Sequence, residues 1–242
     1  MPERAGHGWW PYIGPFLVFM SLGEIGARLS GDMAALWLVV KPGGTAACLA
    51  YFWWRGAYPE LRGYTWLSAS TLADLGVGVL LAGVWMAPYV IFPSIRPEDV
   101  NGGFDPEMLG VALAPAVMAL RFVAYAGVTP VFEELFMRSF VIRVAETWNS
   151  DRDFRNVPIG FFSWKSFLTV VVLFTITHLP WEWWVMVPWA VLSTLWLYRR
   201  KHVMAVIVLH GATNGAILVL AALFDNWLPN GSGGGLPLWF FV

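Results

Sequence analysis

Glu133 and Glu134 stand side by side in an apolar stretch, Thr129-Pro130-Val131-Phe132-Glu133-Glu134-Leu135-Phe136-Met137-Arg138-Ser139-Phe140-Val141-Ile142. Burying a carboxylate in hydrocarbon costs a few kcal/mol, so an acid inside a membrane segment marks function by default. On a helix two adjacent residues point about 100° apart, so the glutamates face different partners. Arg138 lies four residues after Glu134 and shares its face. Those two can pair, each lowering the cost of burying the other. Glu133 is then left to face a cavity, where a carboxylate with a pKa near the working pH takes a proton from water. The structural alternative is an interfacial first turn, because Pro130 suits a helix start and the helix dipole favours acids there.

Two further apolar segments bring polar groups. One ends Phe174-Thr175-Ile176-Thr177-His178, with Phe174 one turn back on the His178 face. A histidine at that place also serves as a plain C-terminal cap. The other reads Leu209-His210-Gly211-Ala212-Thr213-Asn214. His210 and Asn214 are four apart and share a face. Imidazole and amide N–H groups suit an oxyanion forming on a carbonyl, and they equally suit a polar clamp between membrane helices. His7 and His202 sit outside these patterns and receive no chemistry. Cys48 is the only cysteine, in apolar surroundings, and reads as a packed small residue.

These groups need a scaffold, and composition says which. The chain has 242 residues, 58% hydrophobic and 13% charged, with mean hydropathy +0.60. A soluble domain carries about 25% charged residues, so the class is an all-α polytopic membrane protein. A net charge of −1 gives no basis for nucleic acid binding. Spans of about 20 apolar residues are expected near 10–27, 33–54, 72–92, 108–126, 131–146, 161–178, 181–198 and 203–224. That makes a bundle of about eight transmembrane helices with a polar site inside it. Lys41-Pro42-Gly43-Gly44 predicts a kink or break in the second span. Many of the 16 tryptophans, Trp54, Trp66, Trp148 and Trp227 among them, fall at span ends, where an indole sits at headgroup level. No second domain or internal repeat is visible, so residues 1–242 read as one transmembrane domain. Residues 226–242, with Gly231-Ser232-Gly233-Gly234-Gly235, read as a flexible tail. No cleavable signal peptide is evident.

Eight spans put Arg4, Arg55 and Arg62 on one side. Arg28, Arg96, Arg143, Arg152, Arg155, Lys165, Arg199, Arg200 and Lys201 fall on the other. The positive-inside rule then predicts both termini outside the cytoplasm.

The three motifs together resemble the CAAX-protease and bacteriocin-processing family, also called the Abi family, of intramembrane glutamic proteases. Glu133, Glu134 and Arg138 match its Glu-Glu-x-x-x-Arg motif. Phe174 and His178 match Phe-x-x-x-His, and His210 and Asn214 match His-x-x-x-Asn. All three stand in family order within about 131–214. The resemblance implies that Glu133 activates water as general base, with His178 positioning or deprotonating that water. It implies that His210 and Asn214 hold the oxyanion, and that Glu134 and Arg138 support the site. It implies catalysis with no metal and no cofactor. The substrate would be a membrane-anchored protein or peptide, and the setting an integral membrane protein of the bacterial inner membrane, in contact with its lipids. The run Trp53-Trp54-Arg55-Gly56-Ala57-Tyr58-Pro59-Glu60-Leu61-Arg62 looks like the branch that accompanies exosortase systems, which would imply exported substrates.

The expected activity is therefore an intramembrane endopeptidase cutting near a substrate's C-terminus. Three other readings stay open on the residues alone. Two histidines and a glutamate can hold zinc with one position free. The fold can serve a non-proteolytic binding or immunity protein. A glutamate–histidine relay can serve a transporter, although no inverted repeat supports that reading.

Overall fold

The computed structural model describes residues 8–29, 32–100, 103–230 and 234–242. Among them it is all helical, with no strand and one isolated bridge, Pro229 to Gly235. Seven long helices form the bundle. They are α1 (Trp10–Gly26), α2 (Asp32–Trp54), α3 (Ala69–Ile91), α4 (Val111–Thr147), α5 (Trp164–Ile176), α6 (Trp183–Arg200) and α7 (Val203–Phe224). Of these, α3, α4 and α7 are long and apolar enough by themselves to cross a membrane. Local signals set the starts. The Ser68 hydroxyl accepts from Thr71 N–H at 3.2 Å to cap α3, and Ser163 accepts from Ser166 N–H at 3.1 Å to cap α5. His202 caps α7 by accepting the Met204 N–H at Nδ1, 3.1 Å away. Lys201, at φ 51°, makes the sharp turn from α6 to α7.

Burial runs opposite to a soluble protein. Asp74, Glu134, Arg138 and Ser193 are fully buried, while Leu72 and Leu80 are each 71% exposed. An apolar outer face around a polar interior fits lipid as the surrounding solvent.

The segments expected as separate spans, 108–126 and 131–146, are one helix of 37 residues. Pro130 does not start a new helix. A π-helical turn over Val123–Val128 precedes it and a second, Leu135–Val141, follows the glutamates. The wide turns carry the helix past the N–H that Pro130 lacks. The break expected at Lys41-Pro42-Gly43-Gly44 is also absent. There α2 continues, and the Thr45 hydroxyl donates to the Lys41 carbonyl at 2.9 Å. Gly44 instead gives room to α1, since a Cβ there would lie 2.8 Å from Leu22 Cδ1. Residues 226–242 are not simply a flexible tail. Gly231, Ser232 and Gly233 lie outside the described residues, but Leu236, Leu238, Phe240 and Phe241 are buried against the bundle.

Seven helices leave the two described ends on opposite faces, against the expectation that both termini share a side. Cross-links fix the levels. Near one face, Arg200 of α6 binds Asp74 of α3 at 2.8 Å, and Arg143 of α4 binds Glu60 of the 55–68 loop at 3.2 Å. Near the other, the Tyr89 hydroxyl of α3 donates to the Trp181 carbonyl at 2.7 Å, and Tyr125 of α4 donates to the Phe241 carbonyl at 3.1 Å.

Small residues allow the central helices to approach, as membrane bundles require. A Cβ on Gly78 of α3 would fall 2.3 Å from the Leu209 carbonyl oxygen of α7. A Cβ on Gly211 would fall 2.6 Å from the Ala126 carbonyl oxygen of α4. That carbonyl is the one whose helical partner would have been the missing N–H of Pro130. Gly76, one residue pair away from Gly78, has open space around it. Thermal unfolding in detergent checks the contrast. Gly78→Ala should destabilise by about 1–3 kcal/mol through overpacking. Gly76→Ala should be neutral or stabilise by up to about 1 kcal/mol through helix propensity. Equal effects at both positions would show that the close approach is unimportant.

Candidate active site

Glu134 is the hub of the buried polar groups. Its Oε2 accepts from the Arg138 guanidinium at 2.6 Å, one helical turn on, as the sequence spacing predicts. Its Oε1 lies 2.8 Å from His210 Nδ1, across on α7. Arg138 also donates to the Ser193 hydroxyl of α6 at 2.6 Å. The guanidinium lies 4.4 Å from the centre of the Phe174 ring and 5.3 Å from that of Trp189. Those aromatic faces surround a cation whose Nε has no hydrogen-bond partner. One ion pair thus ties α4 to α5, α6 and α7.

Glu133 points elsewhere, as its 100° offset requires. It lines a chamber of about 140 Å³ with His178, His210, Asn214, Thr129 and Tyr125. Its Oε2 is 4.0 Å from His210 Nε2, too long for a direct hydrogen bond. A Glu134 carboxylate at Nδ1 places a proton on that nitrogen and directs Nε2 at Glu133 and the chamber. His178 contributes through a ring whose Nδ1 is 2.8 Å from the Phe174 carbonyl oxygen, which leaves Nε2 for the cavity. Asn214 donates from Nδ2 to the Tyr125 carbonyl at 2.8 Å. That bond uses one of its two amide protons. All four residues expected to do chemistry therefore meet, and Glu134 and Arg138 stand behind them.

A second, smaller cavity of about 70 Å³ shares Glu133, Phe174 and His178 with the chamber. Apart from Thr177 its other walls are apolar and include Phe16, Phe19 and Phe132. Glu133 and His178 thus lie where a polar and an apolar space adjoin.

Several residues of the site carry no signal in the sequence. Tyr125 and Thr129 lie above Glu133 on α4, Trp85 and Trp189 complete the chamber wall, and Ser193 receives Arg138. Isolated Tyr, Trp, Thr and Ser in apolar helices have no spacing that singles them out. Glu182 lines the chamber from the 177–182 turn, where burial lifts its carboxyl above the ordinary range against an opposing hydrogen bond from Leu179 N–H. Two other buried ion pairs have structural roles. Asp74 takes Arg200, the Trp196 indole at 2.7 Å and the Tyr64 hydroxyl at 2.8 Å. Glu60 takes Arg143, Ser139 and the Tyr12 hydroxyl. Glu60 belongs to the run 53–62, and here it fastens a loop to α4 and α1. His202 is a helix cap, and His7 lies outside the described residues. Among the described residues no group of three or more His, Cys, Asp or Glu is placed to hold a metal ion.

The hub has a measurable consequence. Removing one member of a buried pair strands the other, at about 3–5 kcal/mol. Arg138→Met should cost that much in detergent unfolding. Adding Glu134→Gln to it should cost far less than the sum of the single changes. Strict additivity would show that the two side chains do not act as a unit.

No curated protein and no solved structure matches the chain. Residues 114–216 match a family model described as Type II CAAX prenyl endopeptidase Rce1-like, and the match does not extend to the exosortase-associated branch. That segment holds Glu133, Glu134, Arg138, Phe174, His178, His210 and Asn214, and over it the chain is similar to the CAAX-protease family of membrane endopeptidases.

Proposed function

We propose that the protein is an intramembrane glutamic endopeptidase. It hydrolyses a peptide bond near the C-terminus of a membrane-anchored protein or peptide, in the lipid of a bacterial inner membrane. One observation carries the reading. Of two adjacent buried glutamates, Glu134 is committed to Arg138 and His210, while Glu133 faces a chamber with His210 Nε2 4.0 Å away. A gap of that length accommodates a water bonded to both groups.

In this mechanism Glu133 takes a proton as the water oxygen attacks the scissile carbonyl. The carbonyl π electrons move to oxygen, and the resulting oxyanion is met by N–H groups of His210 and Asn214. His210 has its Nδ1 proton held by Glu134, so donating from Nε2 requires the imidazolium. Glu133⁻, Glu134⁻, Arg138⁺ and His210⁺ then sum to zero, which lowers the cost of burying all four. The tetrahedral intermediate collapses as the leaving amine takes the proton held by Glu133. His178 positions the attacking water. The apolar space beside Glu133 and His178 suits a substrate's lipid-facing side chain or acyl group.

The test is cleavage in detergent of two quenched fluorescent peptides, one prenylated with a CAAX-type end and one held by a plain transmembrane anchor. Glu133→Gln keeps the shape and removes the base. It should lower kcat by about 10²–10⁴-fold, with wild-type activity unchanged by chelator. Chelator-sensitive cleavage would replace the reading with zinc hydrolysis, and cleavage that survives Glu133→Gln would remove Glu133 as base. Loss of a partner interaction with no cleavage in any sample would favour the binding-protein alternative.

A further inference from the structure

The joining of two expected spans into α4 redistributes the basic residues. One face of the bundle carries residues 8–9, 55–68, 148–163 and 201–202. On it or in the adjoining helix turns lie Arg55, Arg62, Arg143, Arg152, Arg155, Lys165, Arg199, Arg200 and Lys201. The opposite face carries 27–29, 92–100, 103–110, 177–182 and the chain after α7. Its basic residues are Arg28, Arg96 and Arg121, the last stacked on Phe104. All three are locally engaged. Arg28 pairs with Glu24 at 3.9 Å, and Arg96 donates to the carbonyls of Tyr89, Val90 and Asn230. Glu98, Asp99, Asp105, Glu107, Glu182 and Asp225 fall on this same face. Lysine and arginine in short loops hold their side in the cytoplasm, while acids contribute little to orientation. The excess, nine against three, is no steeper than in the eight-span count, but it points the other way for the N-terminal end.

The chamber is placed unevenly along this axis. From His210 and Trp189 in the bundle interior it rises past His178 and Trp85 to Tyr125 and Glu182. Glu182 belongs to the 177–182 turn, so the wall ends on the acid-rich face. On the basic side the Glu134–Arg138–Ser193 cluster closes it, with all three side chains fully buried. Beyond that, Glu60, Ser139 and Arg143 form a further buried layer. Among the described residues, the polar lining of the chamber reaches the acid-rich face.

We propose that the chamber opens on the face of the membrane opposite the cytoplasm. The substrate is then a membrane-anchored protein whose cleaved segment lies outside the cytoplasm, as in an exported protein, and the leaving peptide is released there. The word substrate rests on the protease reading above; the orientation does not.

Cysteine labelling with a membrane-impermeant maleimide on intact cells tests it, because it reports orientation whether or not any peptide is cut. Cys48→Ala supplies a background without thiols. Into it go, singly, Ser94→Cys and Leu179→Cys on the acid-rich face, and Ser150→Cys on the basic face. All three positions are exposed. Labelling after permeabilisation defines full reactivity for each. Ser94→Cys and Leu179→Cys should react to the same extent in intact and permeabilised cells, and Ser150→Cys only after permeabilisation. The reverse pattern would overturn the proposal and place the chamber mouth in the cytoplasm. Equal reactivity of all three in intact cells would overturn it as well, since the protein would then insert both ways.

Discussion

The Glu134–Arg138 pair is the constraint around which the bundle is arranged. Two opposite charges with no exposure cannot be left half satisfied, because an uncompensated buried charge costs several kcal/mol. Their remaining hydrogen-bonding positions therefore recruit other helices, His210 from α7 and Ser193 from α6, with Phe174 and Trp189 over the guanidinium. In lipid no general hydrophobic force draws helices together, so such contacts and close backbone packing set their positions. Gly78 and Gly211 fit this demand, since they bring the α7 backbone close to α3 and α4. Moving the pair would move His210, and with it one wall of the chamber.

Helix α4 solves a second problem. A proline one helical turn before two buried acids would ordinarily end a helix, and a broken helix would leave backbone groups open in the membrane. The π-helical turns on either side of the Thr129–Glu134 segment keep the helix continuous and reset which face each residue presents. Thr129, Glu133 and Tyr125 line one chamber as a result, while Glu134 turns inward. Wide turns of this kind recur at functional positions. Here they stand directly beside the candidate site residues.

The candidate site residues were more legible in the sequence than the helix boundaries were. Charged and imidazole side chains are rare in membrane helices, so Glu133, Glu134, Arg138, His178, His210 and Asn214 stand out individually and are related by i, i+4 spacing. What hid the scaffold was the ambiguity of proline and glycine. Pro130 and the Pro42-Gly43-Gly44 run read as breaks, yet the helices continue through them, with a π-helical turn beside Pro130 and an unbroken α2 at Pro42. Merging two spans reversed the parity of every later loop, which a charge count from sequence cannot detect. The chamber's aromatic walls were hidden for another reason. Trp85, Trp189 and Tyr125 have the composition of lipid-facing residues, and only the packing turns them inward.

Adjacent glutamates are an economical way to build such a site. A single buried carboxylate must choose between being held by a cation, which makes it a weak base, and standing alone, which makes it costly. Splitting the task over Glu133 and Glu134 removes the conflict, because neighbours on a helix share a position in depth but not a direction. Glu134 anchors the cation and orients His210, and Glu133 is left with the cavity. The arrangement also explains why the histidine lies between them. With Nδ1 at 2.8 Å from Glu134 and Nε2 at 4.0 Å from Glu133, His210 touches the ion pair on one side and faces the chamber on the other. The ring that backs the chamber is thus held in place by the same ion pair that ties the helices together.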